Sequence, residues 1–225
     1  MSSRVVTCHS LQGAAARTII QALTRTMTAR DGVTSAHAQR VQRYAVALAE
    51  EAYIRDPRML EAIDAAALLH DIGKLGIPDR LLHKPGPLTA EEYTQVKQHA
   101  TIGADILSAM EFPGTLALIV RHHHENWDGT GYPDGLRGEA IPIGARVLAI
   151  VDCYDALTSD RPYRRSLSHA RAAAMILERR GTMYEPAIAD AFLRTIDALR
   201  SAIDGARAAA PHAWPQAPRL LARVR

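Results

Sequence analysis

The chain has 225 residues, 48% of them hydrophobic, and its 27 basic and 24 acidic residues give a net charge of +3. This length and composition can build one substantial core, so we expect one domain. The mild, scattered positive charge does not indicate binding to a nucleic-acid polymer. No apolar stretch approaches the roughly 20 residues that a membrane span needs, and we expect no secretory signal, because residues 1–10 lack a basic segment followed by an apolar one. With only two cysteines, we expect no disulfide framework and a cytoplasmic location.

Apolar residues recur at helical spacing through nearly the whole chain, and no alternating strand pattern of any length interrupts them. Helices are predicted over residues 14–30, 35–51, 57–70, 89–110, 113–124, 143–158, 168–180 and 186–203. Thr89 and Glu92 form a capping-box pattern at the start of the fourth helix. Residues 75–87 and 125–142 are rich in glycine and proline, which is typical of loops. The sequence therefore predicts an all-α protein with a single helical bundle.

The bundle is predicted to span residues 15–203, after a short N-terminal extension over residues 1–14. Residues 204–225 are rich in proline, alanine and arginine and are predicted to form an extended tail. The alanine-rich first helix leaves two alternatives open. Its alanines either pack inside the monomer, which we favour, or join two copies in a homodimer.

The pair His70-Asp71 is the most informative feature of the chain. It ends an apolar helical run over residues 65–69 and is followed at once by Ile72-Gly73-Lys74. An adjacent imidazole and carboxylate can serve two metal ions together, with the carboxylate bridging them. The pair alone is weak evidence, because it often occurs by chance. Further candidate ligands strengthen it and indicate a metal site for phosphate chemistry, namely His37, His99, His122-His123-His124-Glu125 and Asp152.

Each candidate ligand also has a plain structural explanation. A single helical histidine, such as His37 or His99, is usually a surface or a satisfied core residue. Successive helical positions point about 100° apart, so only two of the three histidines at 122–124 are expected to face one site. Asp152 lies in an apolar helix, where an unpaired acid is costly, and this favours a ligand role. The remaining histidines are expected to be surface residues: His9, His83, His169 and His212.

In their order and spacing, these motifs resemble those of HD-GYP domains, the group of the HD phosphohydrolase superfamily that hydrolyses cyclic dinucleotides. The resemblance covers about residues 15–200 and implies an HD-type helical domain with an ordered loop around Gly-Tyr-Pro. The motifs that carry it are His70-Asp-Ile-Gly-Lys74, His99 with Gly103, His123-His-Glu125 with Trp127-Asp-Gly-Thr-Gly-Tyr-Pro133, and Asp152-Cys-Tyr-Asp-Ala-Leu157 leading to Arg161-Pro-Tyr-Arg164.

The resemblance implies a cluster of iron or manganese ions with Asp71 bridging, and it sets a register in which His122 is the spare histidine. The implied ligands are His37, His70, Asp71, His99, His123, His124 and Asp152. The resemblance also implies that Lys74, Arg161 and Arg164 contact substrate phosphates and that Tyr132 approaches the ligand. Asp71 and Lys74 are then the catalytic residues.

One position departs from the family pattern. Members with a third metal generally carry glutamate four residues before the first ligand histidine, but here that position is Val33, which cannot ligate a metal. We therefore predict two divalent ions. Two such ions can lower the pKa of a bridging water to give hydroxide near neutral pH.

The resemblance implies a phosphodiesterase that opens cyclic di-GMP to linear pGpG, with GMP as a further product left open. Two alternatives remain. The chain could be a cyclic-dinucleotide-binding module, or one that recruits a protein through its Gly-Tyr-Pro loop, with weak catalysis. It could also hydrolyse another nucleotide, such as 3′,3′-cyclic GMP-AMP. We can name no residue in the sequence that separates guanine from adenine.

Overall fold

The computed structural model describes residues 13–31, 35–110, 112–160 and 165–209. Ten α-helices and two short 3₁₀ helices make up the regular structure of these residues, and no strand occurs among them. The α-helices are α1 (Ala14–Asp31), α2 (Ser35–Glu51), α3 (Pro57–Leu69), α4 (Asp79–Leu82), α5 (Ala90–Lys97), α6 (His99–Ser108), α7 (Gly114–His122), α8 (Ile143–Thr158), α9 (His169–Glu178) and α10 (Pro186–Ala209). The 3₁₀ helices are η1 (Ile72–Gly76) and η2 (Gly138–Ala140). The prediction of an all-α helical fold is confirmed.

Three predicted element boundaries differ from the structure. The helix predicted over residues 89–110 is two helices that break at Gln98, whose amide bonds to Gln95 O at 3.2 Å. This short-range bond tightens the turn and ends α5. The predicted loop 75–87 contains α4, which is too short to show a helical period. Helix α10 continues past Ile203 to Ala209, and residues 210–225 lie outside the described residues.

Helix α3 forms the centre of the core, because apolar residues cover it on nearly every side. Seven of its thirteen residues are buried, four of them alanines that let neighbouring helices approach closely. It packs against α1, α2, α7 and α8. Asp56 caps its first turn, accepting a hydrogen bond from the amide of Arg58 at 3.0 Å. The last residue of α3 therefore leads into His70-Asp71 from a rigid, fully packed support.

Helix α1 lies against the rest of the domain. Ala16, Ile20 and Met27 are buried in the core, whereas Ala14 and Ala15 are exposed. This burial fits the alternative in which α1 packs within one monomer, and a homodimer stays a prediction. Across the described part of the chain, no helix is both long enough and apolar enough to span a membrane.

Gly73 allows η1 to lie directly against the start of α6. A Cβ atom at this position would fall 1.8 Å from the carbonyl oxygen of His99 and 2.5 Å from the amide nitrogen of Gly103. No other residue type can tolerate such contacts, so the close approach requires glycine. It brings Asp71, two residues earlier, beside the His99 side chain.

Candidate metal centre

The seven predicted ligands come from five places along the chain and converge on one site. They lie in α2, directly after α3, at the start of α6, directly after α7 and in α8, and they are His37, His70, Asp71, His99, His123, His124 and Asp152. All are buried except His124 and Asp152, which are half-buried. The Asp152 side chain is 22% exposed against 2% for His70, so the site opens to solvent on the Asp152 side.

The ligand atoms form two groups. One contains His99, His123 and His124, and the other contains His37, His70 and Asp152; within each group the atoms lie within 4.8 Å of one another. In the second group, Asp152 Oδ1 is 3.5 Å from His37 Nε2 and 3.7 Å from His70 Nε2. Each group therefore offers three convergent nitrogen or oxygen ligands of the kind that hold divalent transition metals.

Asp71 lies between the two groups. Its Oδ1 atom is 3.7 Å from His99 Nε2 in the first group, and its Oδ2 atom is 3.5 Å from His70 Nε2 in the second. One carboxylate oxygen thus faces each group, which is the arrangement that a bridging carboxylate needs. Lys74 Nζ donates a hydrogen bond to Asp71 Oδ2 at 2.8 Å.

Three of the histidines are oriented by backbone carbonyls at helix ends. The Nδ1 atoms of His70, His99 and His123 lie 3.0, 2.8 and 2.6 Å from the oxygens of Ala67, Val96 and Val120. Each carbonyl belongs to the residue three positions earlier, in the last turn of a helix, where carbonyls lack the usual amide donor four residues on. Because a carbonyl only accepts, Nδ1 carries the proton and Nε2 keeps its lone pair.

The free nitrogens fit a metal. Among the described residues, the buried Nε2 atoms of His99 and His123 have no hydrogen-bond partner. A buried polar atom without a partner costs about 1–3 kcal/mol, and a metal ion would remove that cost at both atoms. The residues present therefore match the donor set of a metal centre.

Electrostatics keep His123, His124 and Asp71 in the forms that bind metal. Burial, together with neighbouring histidines, lowers the pKa of His123 well below its usual value and that of His124 to about 4, so both rings are neutral at pH 7. Burial alone would raise the pKa of the Asp71 carboxyl, but Lys74 and the nearby histidines hold it well below its usual value. Neutral imidazoles and an ionised carboxylate are the forms that ligate metals.

A side-chain network missed in the sequence analysis orients His37. Its Nδ1 atom donates to Oδ2 of the buried Asp155 at 2.6 Å, and Arg40 binds both oxygens of Asp155, at 2.5 and 2.9 Å. Arg40 also donates to Ser159 Oγ at 2.8 Å. The available signal was spacing: Arg40 follows His37, and Asp155 follows Asp152, by three positions on a helix.

His122 stays outside both ligand groups. Its Nδ1 atom is 2.9 Å from Leu118 O, and its Nε2 atom is 2.9 Å from Asp134 Oδ2. Arg121 also binds Asp134 through two hydrogen bonds of 2.7 Å. Both ring nitrogens of His122 are therefore occupied by oxygen acceptors of the protein.

The Gly-Tyr-Pro loop is ordered by backbone contacts, as predicted. A Cβ atom on Gly131 would lie 2.2 Å from the amide nitrogen of Asn126, so glycine is needed where the loop folds back on itself. The Tyr132 amide donates to His124 O at 3.2 Å, and the Asp134 amide donates to Glu125 Oε1 at 2.8 Å. The Tyr132 ring stacks on the His124 ring with 4.8 Å between centroids. Burial and a hydrogen bond with Tyr93 raise the pKa of the Tyr132 hydroxyl.

Some predicted positions fall elsewhere. Arg161, Arg164 and Val33 lie outside the described residues, as do His9 and His212. His83 is exposed, as expected. The prediction of a plain surface histidine is wrong for His169, which is half-buried with Nδ1 2.6 Å from the hydroxyl of Tyr154.

Comparison with known proteins identifies the family of this chain. The family model described as "HD domain" matches residues 20–188. A cyclic di-GMP phosphodiesterase of Vibrio cholerae is 44% identical over 188 residues, covering 77% of this chain and 38% of that protein. The 3′3′-cGAMP-specific phosphodiesterase 2 of the same organism is 35% identical over 181 residues, covering 80% of this chain and 34% of that protein.

Among solved structures, a cyclic GMP-AMP specific phosphodiesterase of V. cholerae superposes with a TM-score of 0.64 at 18% identity, covering 81% of this chain and 49% of that one. At this identity the superposition shows the shared helical fold alone. The chain belongs to the HD domain family, within its HD-GYP group. It spans less than half the length of these relatives.

Proposed function

We propose that the chain is a metal-dependent phosphodiesterase that opens cyclic di-GMP to linear pGpG. The observation that carries the proposal is the pair of ligand groups on either side of Asp71, with two buried Nε2 atoms lacking a partner among the described residues. The relative of highest identity reported above bears the name of this activity. With only two cysteines in the chain, we place the reaction in the cytoplasm.

The metals we propose are two divalent ions, one in each ligand group, and Asp71 would help to hold both. Imidazole and carboxylate ligands without a thiolate suit iron or manganese. His99, His123 and His124 would hold one ion, and His37, His70 and Asp152 the other. When bound, these ions supply an activated water and positive charge beside the scissile phosphate.

The chain's own residues would position the substrate and balance its charge. An ammonium group has three donors, so Lys74 can hold Asp71 and a nonbridging phosphate oxygen at the same time. Hydrogen bonds from a cation to a phosphate strengthen as negative charge grows in the transition state. We propose that Arg161 and Arg164 bind the other phosphate. Tyr132 covers one face of His124 and would limit the entry of water on that side.

A second substrate is favoured by one observation. A relative 35% identical to this chain is named as specific for 3′3′-cGAMP. The ligand groups act on a phosphodiester and do not distinguish the attached bases, so the same centre could open either ring. Recruitment of a protein through the Gly-Tyr-Pro loop stays a prediction, and so does the release of GMP.

The test is hydrolysis by protein purified without oxygen and loaded with ferrous iron or manganese. Cyclic di-GMP and 3′,3′-cyclic GMP-AMP are supplied separately, products are separated by chromatography, and metal is counted on the same sample. The expected result is linear pGpG with two ions per chain, and no product after chelation. A fully loaded protein that cleaves neither substrate would overturn the proposal.

A further inference from the structure

Tyr93 and Lys97 form a cation–aromatic pair beside the metal centre. They are four residues apart on α5 and therefore share one face of the helix. Lys97 Nζ lies 4.8 Å from the centroid of the Tyr93 ring and 5.2 Å from that of Tyr132. Because Tyr132 stacks on His124, one aromatic ring separates this ammonium group from a proposed metal ligand.

Lys97 differs from the other two lysines of the chain. Lys74 pairs with Asp71 at 2.8 Å, and Lys84 pairs with Glu92 at 2.5 Å. Among the described residues, no carboxylate lies within salt-bridge distance of Lys97 Nζ, whose contacts are the two tyrosine rings. Aromatic faces attract an ammonium group but have no lone-pair atom that accepts a conventional hydrogen bond from it. The pair therefore presents hydrogen-bond donors next to the site where the substrate reacts.

The chemistry of these two side chains suits a purine base. Guanine carries the acceptors O6 and N7 on one edge, whereas adenine has an amino donor in place of O6. A lysine has donors only, so it favours guanine. Tyr93 is 47% exposed, and an exposed aromatic ring can stack on any base.

We propose that Tyr93 and Lys97 form a base-binding subsite that selects guanine over adenine in the cyclic dinucleotide. Tyr93 stacks on the base, and Lys97 donates to its O6 and N7 atoms. This inference rests on the proposed function, because the substrate phosphate must reach the metal centre for its base to lie here.

Equilibrium binding separates this proposal from catalysis. The probes are the hydrolysis-resistant phosphorothioate analogues of cyclic di-GMP and cyclic di-AMP, titrated calorimetrically into the manganese-loaded protein. We expect the guanine analogue to bind about tenfold more tightly, which is the range of one good lysine–guanine contact. Lys97→Met should weaken the guanine analogue about tenfold and leave the adenine analogue within about twofold. Lys97→Arg, which keeps donors for O6 and N7, should retain the preference.

Tyr93→Ala should weaken both analogues about tenfold, because stacking does not depend on the base. The matched control is Arg55→Met, which removes a guanidinium 5.2 Å from the exposed Tyr53 ring, at the other end of α2 from His37. It should change neither affinity. Circular dichroism confirms that each variant is folded.

Three outcomes would overturn the inference. Equal weakening of both analogues by Lys97→Met would make Lys97 a phosphate contact, unchanged affinities would make it a surface lysine, and no binding by the parent protein would remove the subsite. Failure of the proposed function is a separate result. It would appear as intact cyclic di-GMP in the hydrolysis assay even where the guanine preference is measured.

Discussion

The histidines of the metal centre are held in two different ways. His70, His99 and His123 are each oriented by a carbonyl three residues earlier, in the last turn of the helix that precedes them. His37 is oriented by the side chain of Asp155, 118 positions away in sequence, which Arg40 holds in turn. A backbone anchor survives any substitution that leaves the helix intact, whereas one mutation can remove a side-chain anchor. The first three ligands are thus part of the fold, and His37 depends on the packing of α2 against α8.

The largest effect is expected where the two ligand groups meet. Asp71→Ala should remove both ions and all measurable hydrolysis, because Asp71 faces both groups at 3.5 and 3.7 Å. Metal is counted by elemental analysis after gel filtration. Asp190→Ala, which breaks a surface pair with Arg180, is the control and should keep both ions. Full metal content in Asp71→Ala would show that this carboxylate does not bridge.

Lys74→Ala should keep the metals but slow turnover about 100-fold, the usual effect of losing one donor to the transition state. Lys84→Ala removes a lysine that is paired with Glu92 on α5 and should have the parent rate. The measurement is kcat for cyclic di-GMP together with metal content. An unchanged rate would reduce Lys74 to a structural partner of Asp71.

Asp155→Asn tests the side-chain anchor directly. Loss of the partner of a metal-binding histidine usually costs 10–100-fold in metal affinity, and here the cost should fall on one ion only. Competition with a chelator should therefore separate the two ions, the one near His37 leaving first. Ser159→Ala, which loses hydrogen bonds to Arg40 and Asp155 but keeps the Asp155 carboxylate that holds His37, should release both ions as the parent protein does. Equal loss of both ions from Asp155→Asn would show that the Asp155 side chain does not anchor the ion near His37 alone.

The smallest effect concerns the metal-free protein in acid. His99, His123 and His124 have lowered pKa values in the folded state. Between pH 6.5 and 4 the unfolded chain therefore binds more protons than the folded protein, and the folding stability decreases as the pH is lowered. With a pKa of about 4, His124 alone accounts for roughly 2 kcal/mol of this loss at pH 5. The pKa of His37 is raised: burial lowers it, but the hydrogen bond and charge of the aspartates outweigh burial. Its contribution therefore has the opposite sign.

Urea unfolding with a chelator present measures this dependence at pH 7 and pH 5. His124→Gln, which removes one titrating ring, should show a smaller difference between the two pH values than the parent. A parent protein that is equally stable at both would contradict the assigned burial of the three rings.

Local patterns made most of the helices and the candidate ligands predictable. Thr89 and Glu92 do form a capping box, and His70 and His123 directly follow helices whose apolar spacing is plain in the sequence. The break at Gln98 was not predictable, because residues 89–110 keep a helical period across it. Asp155 and Arg40 were missed because spacing shows only that each shares a helix face with a predicted ligand, whereas their contact with each other depends on how α2 packs against α8.

The most direct test of the account is anomalous diffraction from crystals of the manganese-loaded protein. Two peaks are predicted, one among His99, His123 and His124 and the other among His37, His70 and Asp152, with Asp71 contacting both. A single peak, or two peaks that Asp71 does not join, would contradict the proposed two-metal centre.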